Sequence, residues 1–222
     1  MLPYFNGSSL LVHFTTVAQN IGQRFRALNV KIKEVVTRKN VVRWRDRCQG
    51  DLYTVPFDGN NTFACDMETL MSTYWLLCDA VHHANVFYSH QLLAVISFLL
   101  VNITCNLYYS YLEIGGNILD LCNLLLWSSA QILYLVWMIT SSTSVSEAAD
   151  EIKPLIFELI NIEDDLSHKQ ELKMFVLRLE TYRPRFTAFD IFEVNNQTLT
   201  TMAGLVMTYL VILIQFRQDK SD

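Results

Sequence analysis

Residues 194–216, VNNQTLTTMAGLVMTYLVILIQF, contain no charged side chain. That run limits the possible folds of this chain more than any other feature. At ~1.5 Å per residue, about 20 predominantly apolar residues cross the ~30 Å hydrocarbon layer of a bilayer as a helix. The polar residues are placed unevenly. Asn195, Asn196, Gln197, Thr198, Thr200 and Thr201 crowd the start, and Gln215 stands alone at the far end. Hydrocarbon does not solvate an amide, so Gln215 either snorkels to the interface, pairs with another helix, or faces water in a pore.

The rest of the chain agrees with a membrane setting. Of its residues 51% are hydrophobic and only 18% charged, with seven glycines and four prolines, whereas a soluble domain averages about 25% charged. The net charge of -5 hides a segregated pattern. Nine Lys/Arg lie from Arg24 to Arg47, six from Lys153 to Arg185, and two in the tail, with none between. Basic residues that bracket apolar segments are a topology signal. A nucleic-acid binder would gather them on one contiguous face beside aromatics, so no nucleic-acid partner is expected. The five cysteines (48, 65, 78, 105 and 122) lack metal-ligand spacing and read as buried, reduced thiols with no metal. The N-terminus has no basic leader or small-residue cleavage site.

Along the chain, residues 4–20 are apolar but punctuated by polar side chains, which suits the inner half of a buried helix. Residues 23–47 read as a basic helix with Phe25, Leu28, Ile32, Val35 and Val36 on one face. The TVPFDGNNT stretch at 54–62 reads as a loop. Residues 66–112 read as one long helix whose second half, 91–112, spans the membrane, with Tyr108, Tyr109 and Tyr111 as an aromatic belt. EIGGN at 113–117 is a short turn, and 118–140 is the next span, antiparallel to the last. Residues 141–179 are polar and acidic, interrupted by Pro154, and EDDLSHKQEL marks a helix start. Residues 186–193 read as a short amphipathic piece before the final span. The positive-inside rule places both basic regions in the cytoplasm and the EIGGN turn outside, so the last span runs inside to outside. The sequons at Asn60, Asn102 and Asn196 then fall in the cytosol, the bilayer and the inner face, and are expected to stay unglycosylated. Asn6 is left open.

Thr208-Tyr209-Leu210-Val211-Ile212-Leu213-Ile214-Gln215-Phe216 resembles the TYhhhhhQF signature (h, hydrophobic) that closes the last helix of insect gustatory receptors. All four fixed letters stand at the right spacing. Arg24-Phe25-x-x-Leu28-Asn29 is similar to the cytosolic end of that family's fourth helix, residues 92–111 to its fifth, and residues 141–158 to the cytosolic extension of its sixth. The TAFDIFEVN stretch departs from the family's usual aromatic, glycine-containing lead-in to the last helix. The resemblance implies an all-α, polytopic transmembrane helical bundle, the last four or so helices of a seven-helix insect chemoreceptor fold. Such receptors have a cytoplasmic N-terminus and form tetrameric, ligand-gated, non-selective cation channels. Their last helix lines the pore, cytosolic helices anchor the tetramer, and the other helices hold an outward-opening ligand pocket. They run to roughly twice this length, so the chain is expected to begin within the fourth helix, as a fragment, a truncated gene product or a short isoform.

On that resemblance, residues 1–22 form a partial transmembrane helix and 23–90 a cytoplasmic helical region. Residues 91–140 are two spans with an external turn, 141–193 a cytoplasmic anchor, 194–216 the pore helix, and 217–222 an external tail. Gln215 is expected at the extracellular constriction with Phe216, and Ile212 and Leu213 in a wall that dewets when narrow. Snorkelling is the competing role for Gln215, given Arg217 beside it. Thr208 and Tyr209 are assigned to helix packing, Gly204 to a close crossing or bend, and Thr198, Thr200 and Thr201 to the inner ion path. Asn102, Asn106, Tyr108, Tyr109, Tyr111, Asn123 and Trp127 are the ligand-pocket candidates, and the tyrosines serve equally as an interfacial belt.

Asp79 and His83 have the spacing of a helix-surface pair, and the acidic run at 163–165 reads as a solvated face or a helix start. No Ser-His-Asp order, phosphate loop or paired carboxylates support an enzyme, and no cofactor is implied. The expected partners are a small-molecule tastant, the lipid bilayer and further subunits in a homo- or hetero-tetramer, at the plasma membrane with the C-terminus extracellular. The alternative is a truncated, non-conducting membrane protein that only co-assembles with full-length subunits. A transporter would need intramembrane charge pairs, and only Asp120 comes close.

Overall fold

The computed structural model describes residues 2–48 and 59–218, with side chains placed for 9–45 and 67–217. In chain order the elements are α1 (Leu2–Cys48), α2 (Gly59–Leu112), α3 (Ile118–Asp150), α4 (Ile152–Ile162), α5 (Leu166–Thr181), β1 (Thr187–Ala188), β2 (Phe192–Glu193) and α6 (Asn196–Gln218). Three helical stretches are long and apolar enough to cross a membrane: Met67–Leu112, Ile118–Ile162 and Asn196–Arg217.

Residues 4–20 and 23–47 are not separate pieces but one helix, α1. Only Ile21 and Gly22 lie between them, and a single helical glycine costs about 1 kcal/mol, too little to break a helix that packs on both sides of it. The TVPFDGNNT loop is only partly as expected. Gly59 to Thr62 belong to the first turns of α2, and residues 54–58 lie outside the described residues. So do the side chains of Cys48, Cys65, Asn6 and Asn60 and residues 219–222 of the tail.

The chain divides into two compact units. The first comprises residues 1–18, 84–143 and 185–222. Its core holds Leu11, Phe14 and Ala18 of α1, Leu92, Ile96, Leu99 and Ile103 of α2, Leu135, Met138 and Ile139 of α3, and Phe186 and Val194 beside the strands. Phe14 sits edge-on to Tyr88 and Phe186, with ring centroids 5.4 and 5.1 Å apart. Thr15, also buried, donates its hydroxyl to Leu11 O at 2.9 Å and so is satisfied within α1. The 113–117 turn joins α2 to α3. Gly115 takes φ +99°, Gly116 N–H donates to Glu113 O (2.9 Å) and Asn117 N–H to Glu113 Oε1 (3.2 Å). A positive φ of this kind is open to glycine at little cost.

The second unit comprises residues 19–83 and 144–184. The predicted face of α1 is its inner face: Phe25, Leu28, Ile32, Val35 and Val36 are all buried. Tyr74 of α2 stands edge-on to Phe25 and to Phe175 of α5, each at 5.7 Å. The serine-threonine run after Thr140 does not end α3, because Ser141 and Thr143 donate to carbonyls four residues back. Helix α4 then starts with Pro154 in its first turn, where no N–H partner is lost. Asp165 caps α5 by accepting from Ser167 N–H at 3.0 Å.

The acidic run at 163–165 is therefore not a uniformly solvated face. Glu163 is 4% exposed and forms an ion pair with Lys39 of α1, while Asp164 is exposed. Burial of one carboxylate in three follows from the turn between α4 and α5, which aims Glu163 inward at the lysine. Asn29 adds a polar tie, donating to Ala148 O at 2.8 Å.

Candidate functional site

Helix α6 starts from a capped end. Asn195 Oδ1 accepts from Thr198 N–H (3.0 Å), the N-cap arrangement. Thr198 Oγ1 also donates to the Glu193 carbonyl (2.5 Å). Beyond that turn most of the helix is exposed, with Val206, Leu210 and Ile214 half-buried. Among its described residues only Met202 is buried, while Met207, Tyr209 and Phe216 are each about 60% exposed or more. Thr201, Gly204, Thr208, Ile212 and Gln215 recur at spacings of three and four and so share one face. Leu213 and Phe216 flank it. Gln215 is exposed. Thr208 bonds within the helix, donating to Gly204 O at 2.9 Å, and a Cβ on Gly204 would meet nothing within 4 Å. Among the described residues both are exposed. Thr200 and Thr201 likewise donate to carbonyls four residues back.

The ligand-pocket candidates do not converge on one point. Asn106 of α2 reaches α3, donating to Gln131 Oε1 at 3.4 Å. Gln131 is 5% exposed and Ser128, one turn before it, 2%. Asn102 turns back along α2 to donate to Phe98 O. Tyr108 and Tyr109 point ~100° apart as neighbours on a helix must, and Tyr109, Tyr111, Asn123 and Trp127 are exposed. Asn106 with Gln131 is thus a polar contact between the two spans. Sequence reasoning overlooked Gln131, although three polar residues (Ser128, Ser129, Gln131) inside an apolar run could have drawn attention to it.

Residues 186–193, expected as an amphipathic piece, form an antiparallel hairpin pairing Thr187 with Glu193 and Ala188 with Phe192. Ile191 N–H donates to Ala188 O (3.1 Å), closing a turn whose two central residues, Phe189 and Asp190, have φ of 54° and 55°. Hairpin turns of this hand favour Gly, Asn or Asp at both positions, and a left-handed non-glycine residue costs about 1–3 kcal/mol. Phe189 is held there by an edge-on contact with the His90 ring at 4.5 Å. Asn85 grips the hairpin with both amide atoms: its Oδ1 accepts from Thr187 N–H (2.8 Å) and its Nδ2 donates to Thr187 Oγ1 (3.0 Å). Arg185 joins Glu193 through both carboxylate oxygens (2.6 and 2.5 Å).

Elsewhere, Asp79 and His83 form the expected pair at 3.5 Å, both well exposed. Cys78 is half-buried, whereas Cys105 and Cys122 are exposed on this chain rather than buried; all three are free thiols. Among the described residues no cluster of His, Cys, Asp and Glu could hold a metal ion.

The chain matches the family described as 7tm Chemosensory receptor over residues 2–220. It is similar to putative gustatory receptor 28b of Drosophila melanogaster, with 26% identity over 165 residues, covering 70% of this chain and 35% of that protein. Gustatory and pheromone receptor 32a of the same species is 26% identical over 136 residues, 57% of this chain and 28% of that one. The chain spans about a third of the length of the curated relatives it matches. Among solved structures, the insect olfactory receptor OR5 from Machilis hrabei, in complex with eugenol, shares its fold. The TM-score is 0.63 at 15% identity, covering 88% of this chain and 45% of that one.

Proposed function

The chain belongs to the 7tm chemosensory receptor family, a family of multi-pass membrane receptors rather than enzymes, and on that footing we propose that it is a gustatory receptor subunit: a ligand-gated, non-selective cation channel opened by an external tastant. One observation carries this reading. Helix α6 is long enough to span a bilayer, has a single buried side chain among its described residues, and lines up Thr201, Gly204, Thr208 and Gln215 on one face. A helix that is apolar on most of its surface and mostly exposed within its own chain needs other surroundings. Lipid satisfies the aliphatic sides, and the polar stripe suits water or the same stripe on neighbouring subunits.

In this reading four subunits, identical or mixed, bring their α6 helices around a central path at the plasma membrane, with the C-terminus extracellular. Gln215 and Phe216 form the outer constriction, and Ile212 and Leu213 a wall that conducts only when wetted. The tastant binds between the spans, where Asn106 and Gln131 supply oriented polar groups in an otherwise apolar setting. It opens the channel because it binds the open arrangement more tightly than the closed one.

The test is Gln215→Leu, studied by single-channel recording in cells lacking other receptors and challenged with a tastant panel. A changed unitary conductance or cation selectivity supports the pore assignment. Identical conductance and selectivity would overturn it.

A further inference from the structure

The first unit places Asn85, the 186–193 hairpin and the start of α6 in one continuous chain of contacts. Asn85 makes this grip with one short side chain, because an amide offers an acceptor and a donor at the same tip. The acceptor takes Thr187 N–H and the donor reaches Thr187 Oγ1, which in turn donates to Asp190 Oδ1 at 2.8 Å inside the turn. One and a half turns along α2, His90 meets Phe189 at the hairpin tip. The far strand then delivers the constraint to α6. Val194 N–H donates to Phe186 O (2.9 Å), Arg185 fixes the Glu193 side chain, and the Glu193 carbonyl accepts from Thr198 Oγ1 in the first turn of α6. Phe186 and Val194, 1% and 2% exposed, seat both strands in the core. Past this point Met202 is the one buried side chain among the described residues of α6.

We propose that the hairpin is the positioning element of α6, and that Asn85 and Arg185 are positioning residues which set where the final helix begins and couple it to α2. The coupling to conduction rests on the pore reading of α6; the positioning does not. Two non-glycine residues in the left-handed region suit this task, because a turn held in a costly conformation by its surroundings is released when the grip is lost. A shift of α2 would then reach α6 through Thr187 rather than through side-chain packing.

The experiment compares hydrogen exchange in the receptor reconstituted in phosphatidylcholine nanodiscs for wild type, Asn85→Ala, Arg185→Met and Thr187→Ser. Spontaneous single-channel openings are recorded without any ligand on the same preparations. Asn85→Ala and Arg185→Met are expected to speed exchange at least ~10-fold at the amides of residues 187, 191, 194, 198 and 199. The amides of residues 135–139 in the α3 core should keep their wild-type rates. Thr187→Ser keeps the hydroxyl and should behave as wild type. Open probability should change in the first two variants while unitary conductance stays fixed. Faster exchange confined to residue 187, with residues 198 and 199 unmoved, overturns the proposal, as does equal loosening of the α3 core. Local loosening of α6 in a preparation with no openings at all, wild type included, supports the positioning role and counts instead against the channel reading.

Discussion

Helices α4 and α6 are both rich in aliphatic residues, yet they are used in opposite ways. Helix α4 has 11 residues and buries five of them, Ile152, Ile156, Leu159, Ile160 and Ile162. Helix α6 has 23 residues, and among those described one is buried. The difference lies in the pattern. In α4 the buried residues recur at helical spacing, with Lys153 and Glu158 on the other side, so one face has a partner within the chain. In α6 aliphatic residues occupy nearly every direction from Leu205 to Ile214, and no one neighbour could cover them. A stripe identifies a helix that finishes its packing inside the chain. Apolar residues on nearly every side suit a helix that finishes its packing outside its own chain, as against lipid.

The contrast can be broken or sharpened by substitution. The largest effect is expected at the α4 core. Ile156→Ala, at a fully buried site, should cost about 3 kcal/mol, read as a lowered thermal midpoint of the detergent-solubilised receptor; an unchanged midpoint would remove the distinction between the helices. Glu163→Ala removes the buried carboxylate that pairs with Lys39. Because Lys39 is 21% exposed, solvent limits the damage to about 2 kcal/mol, below the full cost of a wholly buried broken pair. At the start of α6, Asn195→Ala removes the N-cap and should cost about 1 kcal/mol, with faster amide exchange at Thr198. The smallest effect belongs to α6 itself: Ile212→Ala should change the stability of the isolated subunit by less than about 0.5 kcal/mol. If Ile212→Ala proves as costly as Ile156→Ala for an isolated subunit, α6 has a partner within the chain after all.

Much of the helical framework could be read from the residues because its signals are local. The spacing of Phe25, Leu28, Ile32, Val35 and Val36 named the inner face of α1 without knowledge of what covers it. The unbroken stretch into Leu112 and the EIGGN turn announced α2 and the start of α3. Two things were hidden. The burial of Glu163 depends on Lys39, 124 residues away in sequence, and nothing in an acidic run reveals which carboxylate turns inward. The hairpin was hidden because Phe189 occupies a position that normally carries glycine, asparagine or aspartate. Local preference there argues against the turn, and contacts from Asn85 and His90 override it. At the candidate site, Gln215 was legible as a lone amide closing a charge-free run, whereas the face it shares with Thr201, Gly204 and Thr208 was not. Gln131 was not, since its partner Asn106 belongs to the preceding helix.

The turn between α2 and α3 has a consequence for how the protein is made. On the proposed topology residues 113–117 must cross the bilayer during synthesis, carrying Glu113 with them. The turn is closed on itself: Glu113 accepts from Gly116 and Asn117, and Asn117 donates to Asp120 at 3.2 Å. Polar groups already paired with one another are less costly to bring through hydrocarbon than bare ones. A loop this short also adds little closure entropy. The spans on either side are therefore suited to entering the membrane together as a preformed pair, ahead of the final helix, which is synthesised later and has almost nothing of its own chain to lean on.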